Sequence, residues 1–304
     1  MTKSQISMAH GREKTCRMLL FSALLCFFLV VLWMGPGTLR IVQAEGMDAH
    51  PDDPIIIGLL PYIDSRRLIA QYAPLVNFIQ QRIAVQVRLI SAPDFPRFLK
   101  RSLAGKYDIY LTAPHFAAQN IQKGDLLLLK FNSLLSGEIY VQKTSAYRTI
   151  SDLKGMVMAT PPASAIISLL AKEYLAQSDL IPEKDIQLLP TPGHDNALRS
   201  VIDGRAAAAI AAQGVYENFS MNDKEQLRII ARTRKIPHAV LMMSHTINIH
   251  RQQQLRMILE SFVHSRGNSL LAMQTGFNKF IPINNEDRDR ILSLLSLTQV
   301  YKKP

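Results

Sequence analysis

Cysteine is almost missing from this chain: the 304 residues include two, Cys16 and Cys26, both close to the N-terminus. Everything after Cys26 therefore has no thiol for a disulfide, a thiolate metal site or a cysteine nucleophile. A glycine-rich phosphate loop, a G-x-S-x-G elbow and an H-E-x-x-H pair are also absent. The eight histidines have no metal-ligand spacing beyond chance pairs such as His245 and His250. His194 stands beside Asp195, as a base beside its orienter would, but the sequence places no serine or cysteine nucleophile with them. The sequence thus assigns no catalytic residue, no metal ligand and no cofactor.

What is present describes a globular, exported protein. Hydrophobic residues make up 48% and charged residues 19%, enough apolar surface for one large domain or two ordinary ones. Lys3, Arg12, Lys14 and Arg17 precede the apolar run Met18–Met34, which is followed by the breaker Gly35-Pro36-Gly37 and by "IVQA". That order reads as a secretory signal peptide cleaved after Ala44. An uncleaved inner-membrane anchor through residues 18–34 is the alternative, because the run sits at the short limit for a spanning helix. Either way the body faces the periplasm, with the positive flank inside. The formal net charge is +11, but the basic residues of the body are scattered in "SRR", "ARTRK", "DRDR" and "YKK". A nucleic-acid surface would gather them on one face among aromatics, so solvated charge is the reading and no nucleic-acid partner is expected.

From Pro54 onward, short apolar runs alternate with helical patterns. "IIIGLL", "VQVRLI" and "YDIYLT" are each followed by a helical stretch, and the first stretch puts Leu68, Tyr72, Leu75, Val76 and Ile79 on one stripe. "LLLLKFNSLLSGEIYVQK" breaks the rhythm with nearly continuous strand character. A second set follows, with strands at "MVMAT", "IQLLP" and "AAAAIAA" and helices over 163–176, 194–203 and 213–219. Two amphipathic helices, about 249–265 and 285–300, finish the chain. The reading is an α/β protein of two lobes with mostly parallel sheets and two crossings, residues 54–136 plus 233–304 forming one lobe and 137–232 the other.

Ligands in open α/β sheets bind at the carboxyl ends of strands, so the loops "PYIDS", "APDF", "TAPH", "TPPASA" and "TPGHDN" line the expected cleft. Thr112 ends a strand and exposes the amide of Ala113 before Pro114 opens a helix. The two prolines of "TPPASA" hold first-turn amides around Ser164 and Ala165 at the cleft. Asp195 is placed to cap a helix that His194 opens. Tyr62 and Phe95 supply apolar walls or, equally, lobe packing. These eight positions form the candidate ligand site.

The segments "APDF" (92–95), "YDIYLTAPHFA" (107–117), "KTSAYRTISDLKGMVMATPPAS" (143–164) and "GHDNALRSVIDGRAAAA" (193–209), in this order and spacing, make the chain resemble the periplasmic phosphonate/phosphite-binding proteins of ABC transporters, among the type 2 periplasmic binding proteins. The resemblance implies a two-lobed clamshell, monomeric and non-catalytic, that captures a small polar or anionic solute and presents it to an ABC permease. The alternative on the same scaffold is a ligand-sensing accessory protein that signals to a membrane sensor kinase or other partner. His194 matches the family's histidine, and Phe95 stands where an aromatic is usual. Ala163, Ser164 and Ala165 replace a Ser-Thr-Ser type run that clasps the anion, Ala207 replaces an acidic residue, and Thr112 an aromatic. The resemblance therefore implies a retained scaffold with an altered ligand.

Overall fold

The computed structural model describes residues 53–300, so the leader, its apolar run and the last four residues lie outside the described part. Two sheets organise it. The chain runs β1 (Ile55–Leu59), α1 (Ser65–Gln80), β2 (Val87–Ser91), α2 (Phe95–Leu103), β3 (Ile109–Thr112), α3 (Pro114–Ile121) and β4 (Leu126–Phe131). After the short β5 (Leu134–Leu135) come β6 (Gly137–Gln142), β7 (Val157–Thr160), α4 (Ile166–Gln177), β8 (Gln187–Pro190), α5 (His194–Ile202), β9 (Ala208–Ala212), α6 (Met221–Glu225) and β10 (Leu227–Arg232). The return passes through β11 (Ile236–Pro237) and β12 (Val240–Met243), and the chain finishes with α7 (Ile249–Val263), α8 (Arg266–Thr275), β13 (Phe280–Pro282), α9 (Asn285–Leu292) and α10 (Leu295–Val300).

The first sheet has the order β13-β4-β12-β3-β1-β2, and the second β10-β6-β9-β7-β8. Their β-α repeats are parallel, β1 with β2 and β3, and β7 with β8 and β9, but β12 with β3 and β4, β13 with β4, and β6 with β9 and β10 pair antiparallel. The sheets are therefore mixed rather than mostly parallel as expected, because the chain returns through each sheet by strands without a crossover helix. Because side chains alternate across a strand, each sheet builds a core on both faces. Ile109 and Leu111 join one cluster with Leu68, Tyr72, Leu75 and Ile79 of α1, while Tyr110 joins Phe98 and Phe116 on the other face. The second sheet divides likewise between Met158 with α4 and Ala159 with α5. The two crossings pair with each other where β5 meets β11, Leu135 opposite Ile236.

Three details of the helices also differ from the sequence expectations. The helix expected over 213–219 is a single 3-10 turn, Val215–Asn218. An additional helix, α8, follows α7. The helix expected over 285–300 breaks at Ser293 into α9 and α10, and the break redirects the chain: Ile291 packs in the first lobe's core, whereas Leu294 and Leu297 pack in the second lobe's. No helix among the described residues is long and apolar enough to cross a membrane.

One glycine is held by close approach. A Cβ on Gly58, in the middle of β1, would fall 2.5 Å from the ring of Tyr107, itself buried and stacked on Phe98 with centroids 5.2 Å apart. Gly58→Ala is expected to cost about 2–3 kcal/mol by overpacking, read as a lower urea midpoint with an unchanged slope; an unshifted midpoint would mean that the ring moves aside freely.

Candidate functional site

Most helices of this protein are capped by a side chain. Asp64 caps α1, Asp94 α2, Ser220 α6, Asn248 α7, Ser265 α8 and Asn284 α9, each accepting from a first-turn amide. Three helices break the pattern. α3 starts from Ala113, α4 from Ala165 and α5 from Gly193, none with a side-chain cap. All three follow the carboxyl ends of parallel strands: β3, β7 and β8. Pro114 has no N–H, and the Phe116 and Ser168 amides turn back to the Ala113 and Ala165 carbonyls at 3.0 Å, so only the earliest amides of these helices lack a helical partner; the aligned peptide dipoles give each start a partial positive charge.

Contacts across the lobes bring two of these starts together. His115, the second residue of α3 and 1% exposed, donates from Nε2 to the carbonyl oxygen of Ser164 at 3.0 Å, just ahead of α4. A carbonyl only accepts, so the proton of this imidazole is on Nε2. Burial holds its pKa down at about 4, opposed only by the Ser164 hydrogen bond, and the ring is neutral at pH 7. The third start is stitched to the second: the Thr191 hydroxyl and amide both reach the Thr160 carbonyl at 2.8 Å. His194 opens α5 with Nδ1 accepting from the Ala212 amide at 3.1 Å, and burial lowers its pKa to about 4 as well.

Two polar atoms here are buried without a partner among the described residues: Thr112 Oγ1, at the end of β3, and His115 Nδ1. An unpaired buried hydroxyl or imidazole nitrogen costs about 1–3 kcal/mol, and a guest that supplied the partner would recover it. No group of three or more histidine, cysteine or acidic side chains suited to a metal ion occurs among the described residues.

The eight residues singled out in the sequence do not all converge. Thr112, Ala113, Ser164 and Ala165 flank the α3 and α4 starts. The Ala165 amide is already committed to the Pro162 carbonyl at 2.8 Å, so the free donors of α4 begin one residue later. Phe95 sits edge-on to Phe116, centroids 6.3 Å apart, and Phe116 lies 4.0 Å from the His115 ring. Tyr62 turns into the first lobe instead: its hydroxyl meets Gln71 at 3.1 Å and Tyr72 at 3.2 Å, its ring lies beside Phe277, and burial raises its pKa to about 12. Asp195 does not cap α5: Gly193 holds the cap position, and Asp195 is exposed one residue into the helix. His115 was not singled out, although "TAPH" was. Its partner lies 49 residues away, and only an alanine where a capping residue is usual hints at an open helix start. Two hollows of about 450 and 340 Å³ are lined by first-lobe residues alone. Between the lobes the His115–Ser164 hydrogen bond holds the α3 and α4 starts against each other.

The family profile described as ABC transporter, phosphonate, periplasmic substrate-binding protein matches residues 57–288. No curated protein matches the chain in sequence. Among solved structures, a Xanthomonas citri protein bound to chloride ion is 19% identical with a TM-score of 0.73, covering 82% of this chain and 98% of its own. PhnD1 from Prochlorococcus marinus in complex with methylphosphonate is 12% identical with a TM-score of 0.71, covering 84% and 100%. A binding-protein component of an ABC phosphonate transporter from Pseudomonas aeruginosa is 15% identical with a TM-score of 0.70, covering 83% and 87%. With its two-lobed α/β architecture and a profile match over most of its length, the chain belongs to the periplasmic substrate-binding proteins of phosphonate ABC transporters.

Proposed function

We propose that this protein captures a small tetrahedral oxyanion of the phosphonate class between its lobes, without turning it over, and delivers it as a monomer to an ABC permease. The lobes are assigned as residues 54–136 with 233–304 and 137–232, the tail from Leu294 packing on the second lobe although it continues from the first, and residues 1–44 act as the export leader. The observation that carries the reading is the selective loss of helix caps. Six helices have a side-chain cap, α1 and α2 after the parallel strands β1 and β2 among them, while the starts after β3, β7 and β8 present alanine or glycine and no capping side chain to compete with an incoming anion. Binding by amides, the Thr112 hydroxyl and His194 needs no lysine or arginine. Phe95, through Phe116, forms the apolar wall. Ligand contacts to both lobes favour the closed form by their differential affinity.

A substitution that opposes stability and binding tests this. Gly193 has an extended backbone, and a Cβ there meets only Asn196 Oδ1, at 3.7 Å. Gly193→Asp should therefore cap α5, adding a few tenths of a kcal/mol to about 1 kcal/mol of stability, while placing a carboxylate where the anion sits. In isothermal titration of the exported protein with methylphosphonate, the variant is expected to bind at least tenfold more weakly although it melts at the same or a higher temperature. Thr112→Val, which removes the unpartnered hydroxyl without changing size, is expected to weaken binding about tenfold with no loss of stability. Unchanged affinity in both variants would place the ligand elsewhere.

A further inference from the structure

The two histidines of the cleft, His115 buried and His194 half-buried, are fixed in the same Nε2–H tautomer by main-chain groups but leave opposite nitrogens unbound. Ser164 can only accept, so His115 carries its proton on Nε2 and leaves Nδ1 as a bare lone pair, buried and without a partner. The Ala212 amide can only donate, so His194 is bare on Nδ1 and carries its proton on Nε2. The site therefore offers one imidazole acceptor and one imidazole N–H besides the amides of three helix starts. An oxyanion whose oxygens are all deprotonated satisfies the donors but sets a lone pair against the lone pair of His115. An oxyanion with one acidic proton satisfies both.

From this pairing, and resting on the capture of an oxyanion proposed above, we propose that the cleft selects the singly protonated form of its ligand, a hydrogen phosphonate monoanion whose P–OH donates to His115 Nδ1, and discriminates against sulfonates, which have no such proton. The bond between His115 and Ser164 joins the two lobes, so the tautomer is set as the cleft shuts and the proton is read only in the closed form. No nearby charge supplies the proton instead. α3 itself carries no other ionisable side chain, nor do β12 and α10 among the elements packed on it. α2 brings Arg97, Lys100 and Arg101, β4 brings Lys130, α9 brings Glu286 through Arg290, and α4 across the cleft brings Lys172 and Glu173. None of these perturbs the ring, which responds to burial and to the Ser164 carbonyl alone.

The test is calorimetric titration of the whole exported protein at pH 9, where methylphosphonate is mostly dianionic, in two buffers of different ionisation enthalpy, with methanesulfonate as the proton-free analogue of similar shape. The expected result is uptake of about one proton per methylphosphonate bound, an affinity that falls about tenfold per pH unit above the ligand's second ionisation, and binding of methanesulfonate at least 100-fold weaker than that of methylphosphonate at pH 7. His115→Gln, whose amide nitrogen can still donate to Ser164, should narrow the preference to within about tenfold. Equal affinity for the two ligands without proton uptake would overturn the proton requirement while leaving anion capture standing. Failure of both ligands to bind would overturn the capture reading and this proposal with it.

Discussion

Lowering the pH from 7 to 5 is expected to destabilise the unliganded protein by several kcal/mol, whereas raising it from 7 to 8 should change little. His115, His194 and His238 are each held neutral by burial, with pKa values lowered from 6.5 to about 4. On unfolding they return to the ordinary value, so between pH 6.5 and 4 the unfolded chain binds more protons than the folded one. Stability is then fully present above pH 6.5 and is lost as the pH falls toward 4. At pH 5 the loss is on the order of 1–2 kcal/mol for each ring. Urea midpoints at half-unit steps between pH 4.5 and 8 would measure it. His238 provides the control outside the site. Its ring lies 4.3 Å from that of Phe277 and 5.6 Å from that of Phe131, and its Nδ1 accepts from the neighbouring Ala239 amide. His238→Phe should remove about a third of the acid slope, and a flat profile from pH 5 to 7 would refute the account for all three.

Asp287→Ala is expected to cost about 3–5 kcal/mol, the range for breaking a buried ion pair by removing one partner. Asp287 pairs with Lys130 of β4, the two side chains being 7% and 17% exposed. The same carboxylate accepts from the Asn284 amide at 3.2 Å, while Asn284 caps the Asp287 amide at 2.8 Å. One side chain thus closes a capping box at the start of α9 and ties that helix to the first sheet. Replacing both partners, in Lys130→Met with Asp287→Leu, leaves no uncompensated charge and should be less destabilising than either single change. Chemical denaturation of the four proteins completes the cycle; a double variant as unstable as the sum of the singles would show that the pair is not coupled.

The strand and helix alternation was legible because each signal is local. Apolar residues recur at period two in the strands and along one stripe of α1, and short loops between the units leave few topologies to choose from. Helix α8 escaped notice because Gly267 lies near its start and its apolar residues form no strong stripe, so packing rather than pattern makes it helical. The break at Ser293 is likewise a tertiary decision, since Leu294 and Leu297 find their burial in the other lobe. At the site, the open helix starts could be read from Ala113, Ala165 and Gly193 standing where serine, threonine or aspartate would cap. The role of His115 could not, because neither burial nor a carbonyl 49 residues away has a local signature. Asp195 shows the converse error: a capping residue type two positions too late is a surface charge.

The last two helices add to the two covalent crossings a third tie made by packing alone, since the tail from Leu294 through α10 follows the first lobe's α9 and buries Leu294 and Leu297 in the second lobe. Removing α10 should therefore loosen the hold of one lobe on the other and, because that helix packs on both α3 and α4, unsettle the two helix starts together.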